Sequence, residues 1–383
     1  MKPNFRRNFR AVAVSAASAA LLFAGCKKDE KPADAQPVKP APQAVLPKPV
    51  LPPEQRADEE CAGPVDLAPP TQVNFAGRTA NLTGYKLTFA DKDSDGKLVL
   101  GVLGPVNEDS GANLLNIKKY NAFFKEQKAD AIVVTGDVAE TASGITRALT
   151  AIAESKLPVF VIAGNRECRA DFTNGVLEAQ KTAPNVVNMN QVRAVEFPEA
   201  TLVSLPGYHD PSYLSCATGC QYFKSTVDEV IRVSKEAKSP VVLVAHGPPR
   251  GDGSQALDYA SSGGNVGDTE ITRAITEAKI PFGVFSNIKE AGARAVDSAA
   301  GATLVKEGQT SKSLFLNPGP ADGMGWEMND STKSTGLAAV FAIEGDQANW
   351  KLFRAEPLSA AEKSVAKGLD PKTQPVTASP AVP

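Results

Sequence analysis

Histidine is scarce in this sequence, and the scarcity limits the metal sites that the chain can form. Only His209 and His246 occur among its 383 residues. The four cysteines that follow residue 26 have no histidines beside them at ligand spacing, which disfavours a zinc site. A strongly basic composition is also lacking, because the formal net charge is −2. The chain therefore carries no electrostatic signal for nucleic-acid binding.

A long apolar run is missing at the N-terminus. The apolar stretch at residues 11–23 has 13 residues, whereas about 20 are needed to cross a bilayer. It follows a positively charged segment and precedes two small residues, Ala24 and Gly25. This order is typical of a secretory signal peptide, which we predict at residues 1–25.

Cys26 follows the predicted signal peptide directly. Residues 21–26 read LLFAGC and resemble the lipobox of bacterial lipoproteins, with Phe23 where Leu is usual. The resemblance implies cleavage before Cys26 and acylation of its thiol, and two or three acyl chains anchor a protein stably. An ordinary signal peptide with an incidental Cys26 is the alternative. We expect a protein that is lipid-anchored to a membrane of the bacterial cell envelope, and Lys27 after the cysteine resembles outer-membrane sorting.

Composition divides the remaining chain into segments. Residues 26–60 are rich in proline and alanine and cannot bury enough apolar surface to fold, so we predict a semi-rigid tether. We expect lead-in strands at residues 61–96, a folded domain at residues 97–357 and a flexible tail at residues 358–383.

The four remaining cysteines, Cys61, Cys168, Cys216 and Cys220, allow two disulfides in an exported protein. Cys216 and Cys220 are close enough in sequence to close a small loop, which would leave Cys61 to pair with Cys168. Free buried thiols are the alternative.

Strands and helices alternate along the folded part. Apolar strands are predicted at residues 97–103, 131–134, 158–163, 201–205, 241–245, 281–285 and 313–316, with a hairpin at 336–343 and 349–354. Helices are predicted at residues 113–128, 144–156, 225–237 and 268–278. This alternation is typical of an α/β fold with buried parallel strands, and the extra strand pairs indicate two facing sheets.

Three of these strands end in polar residues of metal-binding type. Asp137, Asn165 and His246 each lie just past a predicted strand and beside a glycine. Sites in α/β proteins collect at such strand ends. Carboxylate, amide oxygen and imidazole are ligands for manganese, iron or zinc. The three residues are therefore predicted to converge on one divalent cation.

The order of these motifs resembles that of the calcineurin-like metallophosphoesterase family. Residues 135–137 (TGD), 163–167 (AGNRE) and 245–247 (AHG) correspond to its Gly-Asp, Gly-Asn-His-Asp/Glu and His motifs, and residues 316–319 (LNPG) look like its late Asn-Pro-Gly stretch. The resemblance spans residues 97–357. It implies two facing mixed β-sheets flanked by helices, a four-layer αββα fold, and two metals that polarise a phosphoester and activate a bridging water.

The sequence departs from that family at the ligand positions. Gly104 and Val106 stand where the resemblance places the Asp and the His of the first motif. Arg166 stands at the general-acid position, and a guanidinium is a poor proton donor. Asn287 and Lys289 replace the two histidines of the last motif.

The surviving ligands decide how many metals are expected. By resemblance, one metal position keeps Asp137 alone and should be empty. The other keeps Asp137, Asn165 and His246, with Asn287 as a weak fourth ligand. We therefore expect one divalent cation (Mn, Fe or Zn) or none.

A metal-free arrangement is the interpretation that we favour. Lys289 or Arg166 would place a positive charge beside Asp137 and neutralise the cavity as an ion pair. This arrangement accounts for the loss of ligands and the gain of cationic side chains together.

Three functions are compatible with this interpretation. We favour a degenerate phosphoesterase that binds a ligand or a protein partner in the old cleft without hydrolysis. A mononuclear, metal-dependent hydrolase of a phosphoester or nucleotide is the second, and an envelope scaffold protein with a vestigial cleft is the third. The fold alone cannot choose among them.

Overall fold

The computed structural model describes residues 61–75, 77–89, 95–301 and 303–371. The predicted signal peptide at 1–25, the lipidation site Cys26 and the tether at 26–60 lie outside these residues, so they stay predictions. Within the described part of the chain, no helix is both long and apolar enough to span a membrane.

The helices and strands follow the predicted alternation. The helices are α1 (Gly111–Glu126), α2 (Ala142–Ala153), α3 (Arg169–Thr182), α4 (Lys224–Glu236), α5 (Thr269–Ala278) and α6 (Ala360–Leu369), and short 3₁₀ turns lie at Pro211–Tyr213 and Lys289–Ala291. The strands are β1 (Thr71–Phe75), β2 (Arg78–Thr83), β3 (Lys86–Phe89), β4 (Lys97–Leu103), β5 (Ala131–Val134), β6 (Val159–Val161), β7 (Val186–Asn188), β8 (Ala194–Glu196), β9 (Thr201–Leu205), β10 (Val241–Ala245), β11 (Tyr259–Ala260), β12 (Gly264–Asn265), β13 (Phe282–Val284), β14 (Arg294–Val296), β15 (Leu304–Val305), β16 (Leu314–Asn317), β17 (Trp326–Glu327), β18 (Lys333–Ser334), β19 (Leu337–Glu344) and β20 (Gln347–Arg354).

Two large sheets organise these strands. A six-stranded sheet has the order β20-β19-β4-β5-β6-β7, and a ten-stranded sheet has the order β1-β2-β3-β8-β9-β10-β13-β16-β14-β15. The centre of each sheet is parallel: β4, β5 and β6 in the first, and β9, β10, β13 and β16 in the second. The predicted lead-in strands are the antiparallel β1, β2 and β3 at one end of the larger sheet.

The sheets face each other across an apolar core and carry helices outside. Leu100 and Val133 of the smaller sheet share one core cluster with Val242 and Val284 of the larger sheet. A second cluster lies under α1, α2 and α3, and a third lies under α4 and α5. These layers confirm the predicted αββα fold. Burial of both faces explains why β5 and β10 read as continuous apolar runs in the sequence.

The disulfide pairing differs from the one predicted. Cys61 pairs with Cys220, and Cys168 pairs with Cys216. A tight turn, in which the Gly219 N–H donates to the carbonyl of Cys216 at 2.9 Å, separates Cys216 from Cys220. The predicted pairs Cys216–Cys220 and Cys61–Cys168 are wrong, because proximity in sequence does not show which segments the fold brings together.

The C-terminal segment is also more ordered than predicted. The expected flexible tail at 358–383 contains α6, which begins with a capping box between Ser359 and Glu362. The helix packs on α1: Lys119 Nζ lies 2.8 Å from Glu362 Oε1, and the Gly111 N–H donates to Asp370 Oδ1 at 2.7 Å. The folded domain therefore extends to residue 371.

Deleting residues 358–383 should lower the free energy of unfolding by about 2 kcal/mol relative to deleting residues 372–383. The longer deletion removes the carboxylate that accepts from the first turn of α1, and such a capping interaction contributes about 1 kcal/mol. It also removes the Leu369 carbonyl that accepts from Arg147 Nη2 at 2.5 Å, another ~1 kcal/mol. Urea unfolding of both chains measures the difference, and equal midpoints would show that α6 contributes nothing to stability.

Candidate functional site

Asp137, Asn165 and His246 meet at one edge of the two sheets. Asp137 follows β5, Asn165 follows β6 and His246 follows β10, so parallel strands deliver all three from their carboxyl ends. Asp137 and His246 are fully buried, and Asn165 is half-buried. The structure thus brings together the three residues that the sequence analysis selected.

The hydrogen bonds of His246 fix the state of its ring. Nδ1 lies 2.8 Å from the carbonyl oxygen of Thr135. A carbonyl can only accept, so Nδ1 carries the proton and donates. Nε2 then holds a lone pair in the neutral ring. It faces Asn165 Oδ1 at 2.9 Å and Asp137 Oδ1 at 3.3 Å.

The amide of Asn165 is oriented by the loop across from it. Its Nδ2 donates to the carbonyl of Tyr213 at 2.6 Å. The opposite orientation would set the amide oxygen against that carbonyl, so the hydrogen bond assigns Oδ1 to the His246 side. Three acceptor atoms from His246, Asn165 and Asp137 therefore converge.

This convergence fits one cation. Ligands about 2.1 Å from a divalent ion lie roughly 3 Å apart, and His246 Nε2 lies 2.9 and 3.3 Å from the two oxygens. Burial lowers the pKa of His246, an effect that Asp137 partly opposes, so a proton is a poor substitute for the ion. Asp137 Oδ2 is buried and has no hydrogen-bond partner among the described residues. Such an orphaned carboxylate oxygen calls for a positive charge.

Asn287 lies close to the three converging atoms, but its side chain makes other contacts as well. The side chain of Asn287, the predicted weak fourth ligand, faces both His246 and Tyr208. Its backbone N–H donates to the carbonyl of His246 at 3.0 Å. Among the described residues, no three His, Cys, Asp or Glu side chains cluster as metal ligands. The set here contains two of these types and an amide oxygen.

Residue 104, where the resemblance places the first metal-binding Asp of the family, has no room for a side chain. A Cβ atom on Gly104 would lie 2.1 Å from the carbonyl oxygen of Gly319, so no side chain of any kind fits there. Val106 is fully buried in the core, and its N–H donates to the carbonyl of Asp137 at 3.0 Å. The residues present at this position do not fit a second metal.

An ammonium group lies beside Asp137, and it belongs to the residue that by resemblance replaces the last histidine of the family. Lys289 Nζ is 3.9 Å from Asp137 Oδ2, and its side chain is 12% exposed. The same atom is 5.0 Å from the centre of the Trp326 ring, within cation–π range. Of the two cations that the sequence analysis offered, Lys289 is the one that faces Asp137.

Asp322 and Trp326 complete this part of the cleft, and the sequence analysis missed both. Trp326 Nε1 donates to Asp322 Oδ1 at 2.7 Å, and Asn107 Nδ2 donates to Asp322 Oδ2. Burial raises the pKa of Asp322, against the effect of these hydrogen bonds and of Lys289. No motif marks these residues, which lie in the loop after β16 and at the start of β17.

Arg166 does not replace the general acid. Its Nη2 is paired with Glu140 Oε1, and its backbone N–H donates to Asp137 Oδ1 at 3.0 Å. The guanidinium is therefore held in a surface ion pair. It also lacks a readily transferable proton.

Glu167 joins the loop that follows β5 to the loop that follows β6. Its place in the AGNRE motif did not predict this role. Its buried carboxylate accepts from the Val138 N–H at 2.5 Å and from the Gly164 N–H at 2.9 Å. Burial, with a smaller contribution from Asp137, raises the pKa of Glu167. These bonds support the left-handed backbone of Asp137, whose φ is 55°.

Solved structures that resemble the chain share little sequence identity with it. A Thermus thermophilus protein, TT1561, is 11% identical over 58% of this chain and 89% of its own, with a TM-score of 0.43. GAP50, the anchor in the inner membrane complex of Plasmodium, is 12% identical over 73% and 96%, with a TM-score of 0.40. A dimetal phosphatase of Danio rerio is 10% identical over 68% and 99%, with a TM-score of 0.37. No curated protein matches the sequence.

The facing sheets and the Asp, Asn and His at their strand ends define a metallophosphoesterase-type protein. The family model of the calcineurin-like phosphoesterases matches residues 109–277. Over these residues, the match confirms the resemblance found in the sequence. The matched segment contains Asp137, Asn165 and His246, whereas Gly104 and Lys289 lie outside it.

Proposed function

We propose that the chain binds a phosphate-bearing anion in this cleft and does not hydrolyse it. The observation that carries the proposal is the ammonium of Lys289, 3.9 Å from Asp137 Oδ2. A lysine there neutralises the carboxylate that two metals would share in an active relative. It also offers three N–H donors to an anionic ligand, as lysines do in many phosphate sites.

Loss of hydrolysis is supported by two contacts. The reaction needs a water activated between two metals and an acid that protonates the leaving group. The Gly319 carbonyl leaves no room for a ligand side chain at residue 104, because a Cβ there would lie 2.1 Å from its oxygen. The ion pair of Arg166 with Glu140 leaves the acid position without a usable proton.

Retention of anion binding is supported by the charge balance of the cleft. Asp137 and Asp322 supply at most two negative charges, and burial raises the pKa of Asp322. Lys289 and one divalent cation at Asp137, Asn165 and His246 would supply three positive charges. When bound, that cation would act as a Lewis acid towards a phosphate oxygen. The excess positive charge favours a di-anionic phosphomonoester or inorganic phosphate.

Binding of inorganic phosphate tests this proposal directly. Isothermal titration of the full-length, manganese-saturated protein should give phosphate binding that Lys289→Met weakens at least tenfold. Lys333→Met is the control, because Lys333 is exposed and pairs with Glu327 at the surface. The manganese-loaded wild type should also leave bis(p-nitrophenyl) phosphate and p-nitrophenyl phosphate intact. Equal phosphate affinity in wild type and Lys289→Met would overturn the proposal.

Mononuclear hydrolysis is the second candidate, and one observation favours it. His246 Nε2, Asn165 Oδ1 and Asp137 Oδ1 are spaced as ligands of a single cation. The same assay separates the two functions. Turnover that requires manganese, and that disappears in His246→Ala, would establish this candidate and exclude the non-hydrolytic one.

A further inference from the structure

A surface loop at residues 211–220, which we term the site loop, is tied to the domain by both disulfides. Cys216 is bonded to Cys168, three residues after Asn165. Cys220 is bonded to Cys61, at the start of the described chain. The loop connects β9 to α4 and forms a 3₁₀ turn at Pro211–Tyr213. It has no catalytic motif of its own.

The site loop holds Asn165 from two sides. The carbonyl of Tyr213 accepts from the side-chain Nδ2 of Asn165 at 2.6 Å, and the Ser215 N–H donates to the Asn165 carbonyl at 3.0 Å. The first of these bonds is the one that turns Oδ1 towards His246. The donor or acceptor character that Asn165 presents to the cleft therefore depends on where this loop lies.

Packing alone holds the site loop weakly. Most of its residues are exposed, including Tyr213 at 62%. Its remaining links to the segment after Asn165 are few, chiefly the Arg169 N–H and Nε that donate to the Thr218 carbonyl. Segments with few buried apolar contacts open locally at low free energy. The Tyr213 ring also packs edge-on against Tyr208 at 6.2 Å. The bond between Cys168 and Cys216 is the covalent constraint closest in sequence to the Tyr213 carbonyl that faces Asn165.

We propose that the Cys168–Cys216 disulfide is a positioning element of the cation site, acting through the orientation of the Asn165 amide. With the disulfide intact, Oδ1 faces His246 Nε2 and the site accepts a cation. With the disulfide broken, the amide is released to rotate by half a turn, and Nδ2–H donates to Nε2. That hydrogen bond consumes the imidazole lone pair and closes the site. The inference rests on the cation site in the proposed function.

The two disulfides differ in access. Cys168 and Cys216 are half-buried, whereas Cys61 and Cys220 are buried. A dithiol reductant would therefore reach the Cys168–Cys216 bond first. In that exchange the dithiol gives two electrons and two protons to the cystine, which becomes two thiols, and is itself oxidised to a disulfide.

Manganese titration of four full-length proteins tests the mechanism: the wild type, Cys168→Ser/Cys216→Ser, Asn165→Asp, and Asn165→Asp combined with the two serines. The serine pair should weaken manganese binding at least tenfold when Asn165 is present. It should change binding less than twofold when Asn165→Asp is present, because a carboxylate offers an oxygen in either orientation. An equal loss in both backgrounds would show general collapse of the loop and overturn the proposal, as would no loss in the first background.

A second measurement does not need the cation. With ¹⁵N-histidine labelling, His246 is one of only two labelled residues, and His209→Gln assigns its ring resonances. Breaking the Cys168–Cys216 bond should move the Nε2 resonance of metal-free protein towards the position of a hydrogen-bonded ring nitrogen. If the wild type binds no manganese, the cation site fails while this shift still reports the amide rotation. An unchanged resonance would overturn the inference by itself.

Discussion

Gly104→Asp, which rewrites the first ligand of the family, is expected to destabilise the fold by at least about 3 kcal/mol and to add no metal. The new Cβ would lie 2.1 Å from the carbonyl oxygen of Gly319. Overpacking of a buried position costs about 1–3 kcal/mol. A carboxylate buried against a carbonyl oxygen adds the cost of an unpaired charge, several kcal/mol in magnitude. Urea unfolding measures the loss.

Two companion variants separate the causes of that loss. Gly104→Ala carries the steric part alone and should cost about 1–3 kcal/mol. Gly263→Asp adds the same charge at an exposed glycine with no atom within 4 Å of its Cβ, and should change stability by less than about 0.5 kcal/mol. A folded Gly104→Asp/Val106→His/Lys289→His protein that binds two manganese ions would contradict the closed first position.

The half of the site that the sequence predicts well is the half set by strand ends. Asp137, Asn165 and His246 each follow a buried parallel strand, and the carboxyl ends of such strands lie at one edge. Strand order does not matter for that inference, only direction. The continuous apolar runs of β5, β6 and β10 therefore predicted both the strands and the convergence of their polar ends.

The rest of the site depends on contacts between residues far apart in sequence, which no local sequence pattern predicts. Asp322 and Trp326 lie more than 180 residues beyond Asp137 in sequence, and the Gly104 position is closed by a backbone carbonyl from residue 319. Helix α3 was not predicted because its buried residues, such as Phe172 and Val176, are outnumbered by polar ones. The disulfide partners are likewise set by tertiary structure.

Lys289→Met is expected to bind manganese at least tenfold more tightly than the wild type, the opposite of its expected effect on phosphate. The ammonium and a cation compete for the charge of Asp137. At an effective dielectric of about 20, unit charges 4 Å apart interact by about 4 kcal/mol, and the pair is only slightly exposed. A tenfold change in affinity corresponds to about 1.4 kcal/mol. The cation therefore needs to gain only part of the free energy with which Asp137 now attracts Lys289.

Without metal, Lys289→Met should be less stable than the wild type. Removal of one partner from a buried ion pair costs about 3–5 kcal/mol, because the other charge is left unpaired. Metal-free Lys289→Met should therefore melt below the wild type, and manganese should raise its melting temperature more than that of the wild type. Lys333→Met should behave as the wild type in both respects. Manganese affinity that is equal or weaker in Lys289→Met would mean that the ammonium does not compete for Asp137, and the cleft would then be a metal site with a neighbouring lysine.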